Sequence, residues 1–194
     1  PGGDSGTNVR NGFYLASGQS AFVTGPQLSV SVWVWWNGTA VGTNNACIVY
    51  KHYRNDNTFA APYTTWAIEL TDTTTGAWSV ISTHGGTARV ATTSTAQRCL
   101  PVRQWTLLAL DDDGRYLRAY INGILTTTTD GGSSSDIDFG SDGPLDVGSL
   151  SVPNSGFPHA TIGRFADLRV GATSQSGSSY RELYLRGVGR WTGL

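Results

Sequence analysis

The sequence predicts an all-β fold of two packed sheets or a closed barrel, and three observations carry that prediction. Apolar and polar residues alternate with period two in one segment after another, and Asp-Gly and Asn-Gly pairs stand between such segments. The composition also withholds helix formers: Lys51 is the only lysine, Glu69 and Glu182 are the only glutamates, and methionine is absent. Charged residues make up 14% of the 194, well below the roughly 25% usual for soluble domains. Gly, Ser and Thr take their place.

The elements follow in order. Gly12 to Ser17 reads as a first strand. From Leu28 to Asn37, Leu28, Val30, Val32, Val34 and Trp36 fall on one face, which reads as core, while Ser29, Ser31, Trp33, Trp35 and Asn37 fall on the other. Cys47 to His52, Trp66 to Leu70, Ala77 to Ser82 and Ala88 to Thr93 are the next strands. Trp105 to Leu110, Tyr116 to Ile121 and Ile124 to Thr128 then form a meander, turned at Asp113-Gly114 and Asn122-Gly123, pairs that tolerate the positive φ of tight hairpins. Gly131 to Pro158 reads as a long Gly/Ser/Asp loop. Ala160 to Arg164 and Ala166 to Val170 are the last strands, and a short helix from about Ser179 to Arg186 offers Tyr180, Leu183 and Leu185 for docking. No repeat or linker divides the chain, so residues 1–194 read as one domain.

Several classes of partner are disfavoured. The net charge is −1, with no run of Lys or Arg to neutralise a row of phosphates, so nucleic acid is not expected. No apolar stretch approaches the roughly 20 residues that cross a bilayer, and no signal-peptide core stands at the front. Pro1 fits either a trimmed initiator Met or a cut precursor. Cys47 and Cys99 have no second pair and no histidine at metal spacing, which excludes zinc and leaves a disulfide or two buried thiols.

The order of segments is similar to a known family. Leu28-Ser-Val-Ser-Val-Trp-Val34, Ile48-Val-Tyr-Lys51, Trp105-Thr-Leu-Leu-Ala-Leu110 with Asp113-Gly114, Leu117-Arg-Ala-Tyr-Ile-Asn-Gly123 and Ile162-Gly-Arg-Phe-Ala-Asp-Leu-Arg-Val170 resemble the concanavalin A-like lectin/glucanase superfamily, nearest to its laminin-G-like branch. Tyr180-Arg-Glu-Leu-Tyr184 resembles the short terminal helix of that branch. The resemblance, over roughly residues 12–186, implies a jelly roll of two curved antiparallel sheets. That fold hosts lectins, adhesion modules, glycoside hydrolases, lyases and virion domains, so it does not select a function.

The candidate sites are weighed residue by residue. The Glu-x-Asp-x-x-Glu strand of the family's glucanases is absent. Glu69-Leu-Thr-Asp72 puts its carboxyls on opposite faces of a strand, whereas a retaining glycosidase needs two about 5–5.5 Å apart. Catalysis is therefore not expected. His52, His84 and His159 read as surface or loop histidines, and Lys51, His52, Tyr53 and Arg54 as a solvated strand end. Calcium is common in the resembling domains. Asp111, Asp112 and Asp113 form one candidate cluster, and Asp136, Asp138, Asp142 and Asp146 a preferred one, against the plainer reading of turn formation. Trp33 and Trp35 are covered by another part of the chain, or serve a subunit interface or a glycan platform, with Arg118 and Tyr120 supplying hydrogen bonds.

Two functions survive. The first is a structural surface protein, such as a virion or phage decoration or fibre domain, in an oligomer or docked on a larger assembly. The second is an extracellular carbohydrate-binding or adhesion module. The Ser/Thr-rich composition and the missing catalytic motif favour the first slightly; the tryptophans and the resemblance favour the second.

Overall fold

The computed structural model describes residues 13–15, 25–41, 45–53, 64–93, 98–132, 136–138, 143–149 and 160–191. Within them the order is β1 (Phe13–Leu15), β2 (Leu28–Val41), β3 (Ala46–His52), β4 (Thr64–Asp72), β5 (Ala77–His84), β6 (Thr87–Thr92), β7 (Trp105–Asp112), β8 (Tyr116–Ile121), β9 (Ile124–Asp130), β10 (Leu145–Val147), β11 (Ala160–Gly171) and α1 (Gly177–Trp191). A six-stranded sheet, β1-β10-β3-β4-β5-β6, faces a five-stranded one, β11-β2-β7-β8-β9. Every pairing between these strands is antiparallel. This is the two-sheet sandwich that the sequence predicts.

The faces of β2 are those the alternation assigns. Leu28, Val30, Val32, Val34 and Trp36 enter the core, where Ile68, Leu70, Trp78 and Val80 of the opposite sheet meet them. Burying side chains of this size contributes about 1.5–3 kcal/mol each. Two core indoles also find acceptors: Trp36 Nε1 donates to Thr39 O at 2.8 Å and Trp78 Nε1 to Arg98 O at 2.9 Å. The Asn122-Gly123 turn takes φ of 52° and 77°, the geometry expected of that pair.

Three elements differ from expectation. β11 is one strand rather than two, with register shifts at Ile162/Gly163 and Ala166/Arg169 that break the period-two pattern. β10 lies inside the stretch that reads as loop; at three residues its alternation is too brief to register, yet it joins β1 to β3. α1 is longer than predicted. Ser176 caps it, its Oγ accepting the Ser179 N–H at 3.2 Å, and Arg190 occupies the last turn, where a cation suits the helix dipole. Its docking face is Tyr180, Tyr184 and Gly187, while Leu185 stays 58% exposed.

Candidate functional site

The helix decides which outward residues of the five-stranded sheet remain available. Tyr184 stacks on Trp33 with ring centres 5.7 Å apart, and Tyr180 packs on Tyr120 at 4.9 Å while its hydroxyl donates to Leu110 O. A side chain at Gly187 would overlap the Trp33 ring, so glycine is what lets the helix approach this closely. Trp33 is fully buried and Tyr120 nearly so. Neither presents a platform to a ligand or another subunit; the helix takes their apolar surface instead. Arg118 is committed as well. It donates to Asp111 Oδ2 at 3.0 Å and to Asp113 Oδ2 at 2.5 Å, while Ser174 Oγ and Gln175 N also bond Asp111. Burial pushes the Asp111 carboxyl above its ordinary pKa, and these bonds pull it back. The network fastens the start of α1. Of the four sequence candidates, Trp35 alone is both unclaimed by the helix face and partly exposed; the Arg164 guanidinium sits 5.3 Å from its ring centre.

What the helix leaves open is a groove beside it. A cavity of about 480 Å³ lies between α1 and β11, within the ordinary size of small-ligand sites. Its floor is Ser29, Val30 and Ser31 of β2. One wall is Asp167, Arg169, Val170 and Gly171 of β11; the other is Gln175 with Ser179, Tyr180, Glu182, Leu183, Arg186, Gly187 and Arg190 of α1. Hydroxyls, an amide, carboxylates and guanidinium groups thus surround a short apolar surface. That mixture suits a polyhydroxylated ligand, which needs many directional bonds and modest apolar contact. Sequence reasoning missed the groove because its lining comes from three separate segments with no motif. The usable signal was the i, i+4 series Glu182, Arg186 and Arg190, which needs a helix extending past Arg186.

The titratable residues inside the sandwich are structural. His52 and His84 are buried, not exposed as their positions suggest. His52 Nε2 meets Asp146 Oδ2 at 2.7 Å within one sheet, and Lys51 is buried beside it, donating to Gly143 O. His84 Nε2 meets Asp112 Oδ2 at 2.8 Å across the two sheets, with Ser82 Oγ donating to the same oxygen at 2.5 Å. Serine, histidine and aspartate here share one oxygen, whereas a nucleophilic triad chains them through both ring nitrogens. Glu69 is buried on the outer face of the six-stranded sheet, where desolvation lifts its pKa to about 7 against a hydrogen bond from Ser79. Asp72 is instead tied to the following turn, accepting from Thr74 N and from Thr75. The two carboxyls do not form a pair.

The proposed metal ligands are dispersed. Asp136 is exposed, Asp138 accepts the Gly85 and Gly86 amides, Asp146 lies in β10 against His52, and Asp142 and His159 lie outside the described residues. Among the described residues, no group of three acidic, histidine or cysteine side chains gathers as a metal centre. Cys47 and Cys99 are thiols, not a disulfide. Burial pushes the Cys47 thiol pKa well up, with the Asp146 and Glu69 charges adding to it. Unfolding without reductant is therefore expected to release two titratable thiols, Cys47 reacting only once unfolded; a Cys47–Cys99 cross-linked peptide in a non-reducing digest would overturn this.

Comparison with known proteins places this architecture. A family model described as the concanavalin A-like lectin/glucanases superfamily matches residues 8–177. No curated protein matches the sequence. Among solved structures, the binding domain of botulinum neurotoxin serotype G superposes with a TM-score of 0.66 at 10% identity, over 92% of this chain and 41% of that one. Domain 4 of a GH43 extracellular arabinanase from Geobacillus stearothermophilus, in complex with arabinotriose, gives 0.53 at 19% identity, over 89% and 72%. A heptameric SAP-like pentraxin from Limulus polyphemus gives 0.56 at 14%, over 92% and 84%. At these identities the likeness is one of fold, and the chain spans about two fifths of the toxin domain.

Proposed function

Because the chain belongs to the concanavalin A-like lectin/glucanase superfamily, we propose that it is a non-catalytic carbohydrate-binding module seating a saccharide in the groove between α1 and β11. The observation that carries this reading is the groove itself, a polar cleft of about 480 Å³ with serine, glutamine, carboxylate and arginine side chains around Tyr180 and Leu183. Similar folds in the receptor binding domain of botulinum neurotoxin D and in the arabinanase domain complexed with arabinotriose support it. The divergence of Glu69 and Asp72 supports the absence of glycoside hydrolysis. Such a module works outside a cell or at a particle surface; among the described residues no helix is long and apolar enough to cross a membrane. The test is a glycan array with calcium and with chelator, followed by calorimetry on any hit. Ser179→Trp, which fills the groove from the exposed helix surface, is expected to weaken a true hit by about tenfold or more, a loss of about 1.4 kcal/mol. A blank array, or a hit that this substitution leaves unchanged, would sink the reading. Loss of the hit in chelator would show that binding also needs Ca2+.

A second reading is assembly on a virion or phage surface, or self-association into a homo-oligomer. Exposed Val90, Ile124, Leu125 and Leu185 favour it, because apolar side chains left in water are the raw material of interfaces. Light scattering decides: a strict monomer that joins no particle removes it.

A further inference from the structure

We infer that the saccharide taken by the α1/β11 groove is anionic, its carboxylate or sulfate group received chiefly by Arg169 and Arg186. This rests on the carbohydrate reading above and names the class of ligand for that site. The first ground is the distribution of charge. The chain carries 13 basic and 14 acidic residues. The two elements that wall the groove hold five of those basic residues, Arg164, Arg169, Arg181, Arg186 and Arg190, against Asp167 and Glu182 alone. Of these, Arg169, Arg186 and Arg190 line the groove itself against Asp167 and Glu182, so a near-neutral protein presents net positive charge at this cavity.

The second ground is geometry. Arg169 follows the Ala166/Arg169 register shift, where Asp167 holds a φ of 49°, a left-handed conformation that costs an aspartate free energy and persists only when the surroundings fix it. The Asp167 carboxylate accepts from Arg169 Nε at 3.1 Å and from Nη2 at 2.9 Å. That grip orients the guanidinium by one edge and, among the described residues, leaves its Nη1 edge uncommitted. Arg186 is exposed and paired with Glu182 one turn earlier. Exposed pairs of this kind contribute about 0–1 kcal/mol, so an incoming anion displaces little. Guanidinium groups suit the task, since their fork matches a carboxylate or sulfate with two parallel bonds. The neighbouring hydroxyls of Ser29, Ser31 and Ser179 and the Gln175 amide can serve the sugar ring. The cleft fits a sugar unit or two rather than a row of phosphates, which separates this reading from nucleic-acid binding.

The experiment is calorimetric titration of the full chain with three oligosaccharides matched in length, one neutral, one carboxylated and one sulfated, and with a short single-stranded oligonucleotide. The expected result is binding of a charged oligosaccharide but not the neutral one, weakened at high ionic strength. Arg169→Gln, on an exposed side chain, is expected to cost roughly tenfold to a hundredfold in affinity, the range for a charge-assisted bond; Arg186→Gln should act in the same direction. Which charged sugar binds distinguishes carboxylate from sulfate. Equal binding of the neutral oligosaccharide overturns the anionic assignment, and charged binding that both Arg169→Gln and Arg186→Gln leave intact overturns its placement in this groove, while in either case carbohydrate binding as such stands. Binding of none of the three sugars overturns both, as does an oligonucleotide that binds as tightly as the best sugar.

Discussion

Asp112→Ala is expected to destabilise the protein by about 3–5 kcal/mol, the cost expected when the shared acceptor of a buried polar network is removed. Asp112 is fully buried at the end of β7 and ties the two sheets together. One oxygen takes His84 Nε2 and Ser82 Oγ from β5, and the other takes the Gly114 amide, with Arg89 of β6 4.0 Å away. Alanine removes both oxygens from a fully buried position, so the groups they served lose a bond whose desolvation cost is already incurred. For a chain of this size the melting temperature should fall by roughly 6–20 °C. Asp112→Asn is the milder control, keeping a carbonyl oxygen for one side of the network. Thermal unfolding followed by circular dichroism measures both, and an alanine variant within about 1 kcal/mol of the wild type would mean that the network adds little.

Glu69→Gln is expected to raise stability, and only above the carboxyl's unfolded pKa. Glu69 is buried on β4 with Ser79 as hydrogen-bond partner, and its pKa stands near 7 rather than 4.5. The folded state therefore binds a proton that the unfolded state has already released between those values. Stability falls as pH rises through that window, and this decrease is complete once pH exceeds about 7. At about 1.4 kcal/mol per unit the loss is on the order of 3 kcal/mol. Glutamine keeps the oxygen that Ser79 donates to and carries no charge. In urea titrations, wild type and variant should thus coincide near pH 4.5 and separate by a few kcal/mol near pH 8. Parallel curves at the two pH values would show that Glu69 is hydrated in the folded protein.

Why some features were legible and others were not follows from what each depends on. The β2 faces and the Asn122-Gly123 hairpin are local properties, set by a period of two and by one glycine, and the structure repeats them. The long strand β11 reads as two because its bulges interrupt the pattern, and β10 does not show because three residues make no pattern at all. The site depended on tertiary facts. Alternation separates the two sides of β2 but cannot say what lies on top of the outward one, and α1 buries Trp33 while leaving the groove open farther along the same strand. Nothing in the neighbouring sequence marks His52 and His84 as buried, since histidine as a residue type is found both inside and at the surface. Their aspartate partners are 94 and 28 positions away in the chain, beyond any local reading.

The irregular edge of β11 also limits how this molecule can meet others. A straight terminal strand offers a row of amides and carbonyls on which a foreign strand can build. Two register shifts and a left-handed aspartate deny β11 that regular ladder. A strand arriving from this side finds no regular ladder to extend, so contact here falls to side chains rather than to backbone, and a serine- and threonine-rich sheet is protected from growing by accretion.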